Sequence, residues 1–193
     1  MALEDQRHWD QKHAAEGGSE IPSAFLVEIL HAGSWEIPRG RALDIATGKG
    51  RNALFLAQQG FEVEGIDISA AALADAERCA REKLLRVTWR QADLETAVLP
   101  AAYYDLIVKI NYLERSLVPQ IKSALKTGGF VIFETYLTGQ EAMGHPKNPA
   151  YLLGQNELLE LFRGFRVLLY REGRFAEGGK PAYRAGLFAQ KIG

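Results

Sequence analysis

The chain has 193 residues, of which 47% are hydrophobic and 24% charged, and its formal net charge is −1. These values are ordinary for a globular protein of one domain, so they exclude disordered and fibrous classes. A near-neutral charge with both signs scattered along the chain argues against a protein that binds nucleic acid mainly through its phosphates.

The termini and the rarer residues exclude further classes. The N-terminal segment "MALEDQRHWDQKHAAEGG" is charged and lacks the apolar core of a secretory signal, and no apolar run reaches the length of a membrane span. We therefore expect a cytoplasmic protein with no membrane association. The single cysteine excludes an intrachain disulfide, and the four histidines show no paired metal-ligand spacing, so we assign no metal. Oligomeric state is not readable from the sequence.

The first 40 residues are predicted to be mostly helical. The stretch "IPSAFLVEILHAG" has an amphipathic pattern, and the residues around Trp9 predict another helix. We expect residues 1–40 to form a lid or cap, and residues 41–193 to form a Rossmann-like core, within a single domain.

From Arg41 onward, extended and helical patterns alternate, which is typical of an α/β domain with a mostly parallel sheet. The predicted strands are "RALDI", "FEVEGIDI", "LRVTWRQADL", "YYDLIVKI" and "GGFVIFETY", the last one entered through a turn at "KTGG". The helices between them are Asn52 to Gln59, "AAALADAERCAREK" with Ser69 as N-cap, and "SLVPQIKSALK". A helix at "NELLELF" then precedes a hairpin of "FRVLLYRE" and "AYRAGLFAQKI", connected by "GRFAEGGKP". We expect a seven-stranded sheet with one antiparallel strand and helices on both faces.

The stretch "RALDIATGKGRNALFLAQQG" places a glycine-rich turn between a strand and a helix. Ligands of open α/β sheets bind outside the carboxyl ends of the strands, so this turn is the first candidate site. Gly48, Gly50 and Ala53 satisfy the dinucleotide pattern G-x-G-x-x-G/A, and Asp67 stands where a ribose-binding acid is expected. A phosphate-binding P-loop is excluded, because no serine or threonine follows the lysine.

Asp44 separates the remaining ligands by its charge. A pyrophosphate on the helix N-terminus would be repelled by a carboxylate at the mouth of its site. S-adenosylmethionine instead carries an ammonium and a sulfonium beside one carboxylate, so an acid next to the glycine turn suits it. The pattern D-x-A-x-G-x-G from Asp44 to Gly50 therefore favours the methyl donor.

Several further segments follow the order of a known family: "VEGIDIS", "QADLE", "YYDLIVKINYLER", "LKTGGFVIFETY" and "NPAYLLGQNELLELF", with "HWDQKH" near the N-terminus. With them, the chain resembles the class I S-adenosylmethionine-dependent methyltransferases, and more narrowly the bacterial tellurite-resistance-type and related small methyltransferases. The resemblance covers most of the chain from Arg41 and implies a Rossmann-like sandwich. It says far more about the donor than about the acceptor.

The resemblance implies a set of cofactor-binding residues. Asp44 would hold the methionine ammonium, and Asp67 would accept from both ribose hydroxyls. Asp93 would meet the adenine amino group, beside the backbone of Leu94. The full set is Asp44, Ala46, Gly48, Gly50, Arg51, Asn52, Asp67, Ile68, Asp93, Leu94, Lys109, Ile110 and Asn111. Ala46 replaces a glycine common among relatives, and Lys109 is an unusual charge near a sulfonium, so we expect it to act through its backbone.

Acceptor-side candidates are weaker, because methyl transfer depends mainly on positioning and only hydroxyl or amine nucleophiles need a base. Tyr112, Glu134 and Tyr136 follow the fourth and fifth strands, and each has an alternative role in packing or local pairing. Trp9 would belong to a lid over the cofactor or would dock a surface helix, and His145 would roof the pocket or lie exposed. None is a persuasive base, so no catalytic residue is assigned.

The sequence thus predicts an enzyme that transfers a methyl group from S-adenosylmethionine to a small molecule, with a chalcogen compound such as tellurite suggested by the resemblance. A nucleic-acid amine is disfavoured as acceptor, since "INYL" stands where an Asn-Pro-Pro-Tyr signature would lie. Two alternatives stay open. One is a nicotinamide-dependent oxidoreductase using the same glycines, and the other is a non-catalytic methyltransferase-like module that binds the cofactor or a partner.

Overall fold

The computed structural model describes residues 21–177 and 180–193. The predicted helix around Trp9 and most of the predicted lid lie outside the described residues. The helices are α1 (Ala24–His31), α2 (Arg51–Gln58), α3 (Ala70–Glu82), α4 (Val118–Ala124) and α5 (Glu157–Leu161). The strands are β1 (Arg41–Ile45), β2 (Glu62–Asp67), β3 (Val87–Gln91), β4 (Tyr104–Ile110), β5 (Leu125–Tyr136), β6 (Phe165–Glu177) and β7 (Lys180–Lys191).

The seven strands form one sheet in the order β3-β2-β1-β4-β5-β7-β6. The pairs among β1 to β5 are parallel, and β7 runs antiparallel to both β5 and β6. The predicted seven-stranded sheet with one antiparallel strand is confirmed. The strand order reverses between β1 and β4, so the crevice at their carboxyl ends is where this topology places a ligand.

Two hydrophobic layers cover the sheet. On one face, β4 and β5 pack against α4 and α5 through residues such as Ile107, Val131 and Leu158. On the other face, α1 and α2 pack through residues such as Phe25 and Leu56 against the alternate positions of the same strands. Helices on both faces are therefore confirmed, and α1 joins the core instead of standing apart from it.

Two predicted turns are wrong. The "KTGG" turn lies inside β5, because α4 ends at Ala124 and the strand begins at the next residue. Gly128 adopts a φ of 83°, and the pairing of β5 with β4 shifts register between Tyr104 and Leu106. The glycines thus make an irregularity within a strand. The hairpin connection at "GRFAEGGKP" is also shorter than predicted, since β6 extends to Glu177 and β7 begins at Lys180.

Within residues 21–177 and 180–193, no helix is long and apolar enough to cross a membrane. In the same part of the chain, no group of three or more histidine, cysteine or acidic side chains is arranged to hold a metal ion.

Candidate active site

Asp44 lies near the end of β1, the strand between β2 and β4, and its side chain is buried. Its Oδ2 accepts hydrogen bonds from the Thr47 hydroxyl at 2.6 Å and from the Ala53 backbone N–H at 3.1 Å. The N-cap of α2 is Gly50, which has no side chain to cap the helix. Asp44 therefore supplies the acceptor that the first turn of α2 lacks.

Burial and hydrogen bonding shift the pKa of the Asp44 carboxyl in opposite directions. Burial raises the pKa of the Asp44 carboxyl to about 7, although the Thr47 hydroxyl, the Ala53 N–H and the Arg51 guanidinium lower it in part. A ligand ammonium beside this carboxyl would lower its pKa further, because an opposite charge favours the ionised form. Asp44 is thus suited to a cationic ligand and poorly suited to an anionic one.

Asp67 ends β2 and is held by backbone groups on both sides. Its Oδ2 accepts from the Gly48 N–H at 2.8 Å, and its Oδ1 accepts from the Ser69 N–H at 2.9 Å. Each carboxylate oxygen can accept more than one hydrogen bond, so both keep capacity for a diol. The residues present therefore fit S-adenosylmethionine: a buried acid for an ammonium, and an oriented carboxylate for two ribose hydroxyls.

The residues of the turn adopt backbone conformations that favour glycine. Ala46, Gly48 and Gly50 all have positive φ, at 55°, 54° and 80°. A Cβ on Gly50 would lie 2.7 Å from the Trp89 ring of β3. The Trp89 ring therefore leaves no room for a side chain at Gly50. This packing is a reason for the glycine that does not depend on a ligand approaching the backbone.

Arg51 and Asn52, at the start of α2, contact the segment that leads into α1. The Arg51 Nη1 donates to the Ile21 carbonyl at 3.2 Å, and the Asn52 Oδ1 accepts from the Ser23 N–H at 2.9 Å. The side chains of both residues therefore face residues 21–23, and any contact of theirs with the cofactor stays a prediction.

The third strand contributes local contacts. The Asp93 Oδ1 accepts from the Glu95 N–H at 2.9 Å, which orients this carboxylate within its own turn. Leu94 is buried, and the Ile68 carbonyl accepts from the Gln91 side chain at 3.2 Å. Among the described residues, no hydrogen bond links the Asp93 side chain to Asp44 or Asp67. The contact of Asp93 with adenine stays a prediction.

Lys109 is fully buried on β4. Its Nζ donates to the Glu114 carbonyl at 3.2 Å and lies 4.3 Å from the centre of the Phe133 ring. Burial lowers the pKa of this amine to about 7, although the Glu114 carboxylate opposes the shift. The side chain therefore supports the loop after β4 from within the core.

The end of β4 and the residues after it carry three of the predicted site residues. Ile110 packs in the core, whereas Asn111 has a φ of 61° and donates its N–H to the Glu134 carbonyl at 2.9 Å. Tyr112 is half-buried beside the Lys109 amine. Burial raises the pKa of the Tyr112 hydroxyl above its ordinary value, so it stays protonated at neutral pH.

Glu134, near the end of β5, is 2% exposed and accepts from two arginines. The Arg184 Nη2 of β7 donates to Oε2 at 3.2 Å, and the Arg171 Nη2 of β6 donates to Oε1 at 3.1 Å. Arg184 also donates to the Asn111 Oδ1, and its guanidinium lies 4.8 Å from the centre of the Tyr136 ring. The sequence candidates Asn111, Glu134 and Tyr136 are thus brought together around Arg184.

The other acceptor-side candidates are not brought to this cluster by any described contact. His145 is exposed, and its carbonyl accepts from the Gln140 side chain at 3.0 Å. Trp9 lies outside the described residues. Sequence reasoning also missed four residues of the site: Thr47, Ser23, Arg171 and Arg184. An arginine within the otherwise apolar strand pattern "AYRAGLFA" was the available signal for Arg184.

Comparison with known proteins finds similarity to methyltransferases. Residues 42–129 match a family model described as "Methyltransferase domain". The chain is 35% identical over 130 residues to the ubiquinone biosynthesis O-methyltransferase of Alkalilimnicola ehrlichii, covering 63% of this chain and 49% of that protein. It is 25% identical over 139 residues to the probable S-adenosyl-L-methionine-dependent methyltransferase TehB of Haemophilus influenzae. That match covers 68% of this chain and 48% of that protein.

The crystal structure of TehB from Haemophilus influenzae superposes with a TM-score of 0.73 at 21% identity, over 86% of this chain and 61% of that one. The order and direction of the strands are those of the Rossmann-like methyltransferase structures with which the chain superposes. The match of residues 42–129 to a methyltransferase model and the similarity to S-adenosylmethionine-dependent methyltransferases imply S-adenosylmethionine as the cofactor. The chain spans about half the length of these two curated relatives.

Proposed function

We propose that this chain transfers a methyl group from S-adenosylmethionine to a small-molecule acceptor. The observation that carries the proposal is the pair of acids at neighbouring strand ends, Asp44 on β1 and Asp67 on β2, both oriented around the glycine turn. Asp44 would hold the ammonium and Asp67 the ribose. The cofactor, when bound, supplies a methyl group on a sulfonium, and the chain's own residues fix its position.

The acceptor side favours a nucleophile that needs no base. Both oxygens of Glu134 already accept from guanidinium groups, and the Tyr112 hydroxyl stays protonated. The Lys109 amine is buried and directed at a backbone carbonyl. An acceptor with a free lone pair on a soft atom attacks the methyl carbon in line while the carbon–sulfur bond breaks, and no proton has to leave it.

A chalcogen compound such as tellurite therefore fits the site better than a phenol. The TehB relative bears the name of a probable S-adenosyl-L-methionine-dependent methyltransferase, and the chalcogen acceptor rests on the resemblance to tellurite-resistance-type enzymes. The ubiquinone relative bears the name of an O-methyltransferase, and O-methylation normally needs a base. We keep a hydroxyl acceptor as the competing outcome of the test.

The first experiment is calorimetry with S-adenosylhomocysteine. The wild-type chain is expected to bind, and Asp67→Asn is expected to weaken binding by roughly 10- to 150-fold, the equivalent of about 1.5–3 kcal/mol for hydrogen bonds to a charged group. Asp105→Asn is the matched control. Its carboxylate pairs with Lys126 and accepts from the Arg41 N–H at the opposite edge of the sheet, so its loss should leave affinity unchanged.

The second experiment measures S-adenosylhomocysteine formation with tellurite, selenite and a catechol as acceptors. Turnover with the chalcogen oxyanions alone supports the proposal in full. Turnover with the catechol alone assigns a hydroxyl acceptor, and binding without turnover on any acceptor supports the non-catalytic module. Failure of the folded wild-type chain to bind S-adenosylhomocysteine would overturn the proposed function, and enhanced NADH fluorescence on mixing would then favour the oxidoreductase.

A further inference from the structure

Residues 21–23 lie between the cofactor turn and the acceptor side. On the cofactor side, the Ser23 N–H donates to the Asn52 Oδ1 at 2.9 Å, and the Ile21 carbonyl accepts from Arg51 at 3.2 Å. Arg51 and Asn52 directly follow Gly50, the last glycine of the turn. The entry to α1 is therefore attached to the helix that the turn begins.

On the acceptor side, the same segment reaches Glu134. The Ser23 hydroxyl donates to the Glu134 Oε2 at 3.2 Å, and the residue is fully buried. Ser23 occupies the N-cap position of α1, yet its side chain makes no capping hydrogen bond. A serine at this position usually caps its own helix, so the hydroxyl is used here for a long-range link instead.

Glu134 is the point at which these links meet. Its carboxylate accepts from Ser23, from Arg184 and from Arg171. Arg184 passes the contact on to the side chain of Asn111, at the end of β4. A continuous chain of hydrogen bonds thus runs from Asn52, beside the cofactor turn, through Ser23, Glu134 and Arg184 to the acceptor side.

Such a buried carboxylate is better suited to fixing geometry than to adding stability. Desolvation of the ions offsets much of their attraction, whereas removal of one partner leaves a buried charge uncompensated. Hydrogen bonds in such a buried network are stronger than in water, so they restrict the side chains that they join. Since both Glu134 oxygens are engaged by cations, the carboxylate is also poorly placed to take a proton from an acceptor.

We propose that Glu134 is a positioning residue, which holds residues 21–23 and Asn111 in one arrangement and so couples the docking of α1 to cofactor binding. This rests on the proposed function, because it takes the turn at Gly48 and Gly50 to be the cofactor site. Binding at the turn then stabilises the α1 entry, and release of the α1 entry weakens binding at the turn, since such coupling is reciprocal.

The sharpest variant is Ser23→Ala, which removes the hydroxyl link without removing a helix cap. S-adenosylhomocysteine is the probe, and calorimetry is expected to show three- to fivefold weaker binding. Ser34→Ala is the matched control, because its hydroxyl donates only to the Ala32 carbonyl just beyond the other end of α1. An unchanged affinity for Ser23→Ala, equal to that of Ser34→Ala, would overturn the inference while leaving the proposed function intact.

Hydrogen exchange gives a readout that a merely structural role would not move. In the wild-type chain, S-adenosylhomocysteine should slow exchange of the α1 amides. Glu134→Gln should abolish this ligand-induced protection, which is the increment measured. Ser23→Ala should reduce it, and the double variant should bind no more weakly than Glu134→Gln, because both changes break one link. If Glu134→Gln does not fold, the Ser23→Ala increment decides. A wild-type chain that binds without slowing α1 exchange contradicts the coupling, whereas a wild-type chain that does not bind contradicts the proposed function itself.

Discussion

The proposed cofactor side, around Asp44 and Asp67, and the proposed acceptor side, around Glu134, differ in the groups that orient their carboxylates. Asp44 and Asp67 are oriented by backbone N–H groups 9, 19 and 2 residues away in the sequence, and Asp44 also by the Thr47 hydroxyl three residues away. Glu134 is oriented by side chains 111, 50 and 37 residues away. One region thus depends mainly on backbone groups and one nearby hydroxyl, and the other on side chains that lie far away in the sequence, on β6, β7 and at the N-cap of α1.

This difference has a consequence for function. Backbone donors persist through most substitutions, so a site that uses them keeps its ligand while side chains vary. A site built from paired side chains changes its shape and charge with single substitutions. The donor site is therefore the part that relatives of different substrate can share, and the acceptor side is the part that can diverge.

The largest expected effect breaks the acceptor-side network. Glu134→Ala leaves Arg184 buried without its carboxylate, and the free energy of unfolding should fall by roughly 3–5 kcal/mol. Urea unfolding measures the loss. Glu172→Ala on β6, the strand beyond β7, removes a carboxylate that among the described residues accepts only from the Tyr170 hydroxyl and the Asn156 N–H, and should cost about 1 kcal/mol. Equal losses in the two variants would mean that the acceptor side does not depend on charge pairing.

The next effect concerns Lys109, which lies between the two regions. Its amine has a pKa of about 7 in the folded chain and an ordinary pKa of 10.5 when exposed, so between these values the unfolded chain binds more protons. Stability from this group therefore rises with pH across that window, and is lost as the pH falls towards 7. From pH 7 to pH 9 the gain should be about 2 kcal/mol.

Lys109→Met should remove this pH dependence. Urea unfolding of both proteins at pH 7 and pH 9 gives the difference directly, and Lys83→Met is the control, because Lys83 is exposed just after α3. The same slope in wild type and Lys109→Met would show that the amine is not buried as described.

Much of the cofactor side could be predicted from the sequence, and little of the acceptor side. The strands that carry Asp44 and Asp67 at or near their ends, the N-cap Ser69 and the antiparallel strand all follow from local patterns. Glu134 was a candidate from its place near the end of a strand, but its pairing with Arg184 was not foreseen. A pairing across 50 residues depends on which strands become neighbours, and the sheet order is not written in any local pattern.

Gly50 and the "KTGG" segment show what glycine composition alone does not reveal about a turn. Gly50 belongs to the motif that predicts the turn, yet the space beside it is filled by Trp89, a residue outside the motif. "KTGG" has the composition of a turn, and its four residues form an unpaired bulge within β5, between the pairs Tyr104–Leu125 and Leu106–Phe130. At Gly50 the Trp89 ring gives a second reason for a glycine, whereas at "KTGG" the predicted turn is a bulge inside a longer strand.

A smaller effect tests the charge of Asp44. With a pKa of about 7, this carboxyl is about one tenth ionised at pH 6 and about nine tenths at pH 8. If the ionised form holds the ligand ammonium, affinity for S-adenosylhomocysteine should rise about tenfold over this range. Calorimetry at both pH values measures it, and proton release on binding near pH 7 gives a second readout. Asp44→Asn should bind weakly at both, and a wild-type affinity that is flat with pH would contradict the assignment.

The smallest expected effect sharpens the contrast between backbone and side-chain support. Ser69→Ala removes the hydroxyl that accepts from the Ala72 N–H, so the free energy of unfolding should fall by about 1 kcal/mol, the usual cost of an N-cap. The Ser69 backbone N–H remains, and it is this group that donates to the Asp67 Oδ1. Affinity for S-adenosylhomocysteine should therefore stay within twofold of wild type. A larger loss of affinity would show that the donor site, like the acceptor side, depends on its side chains.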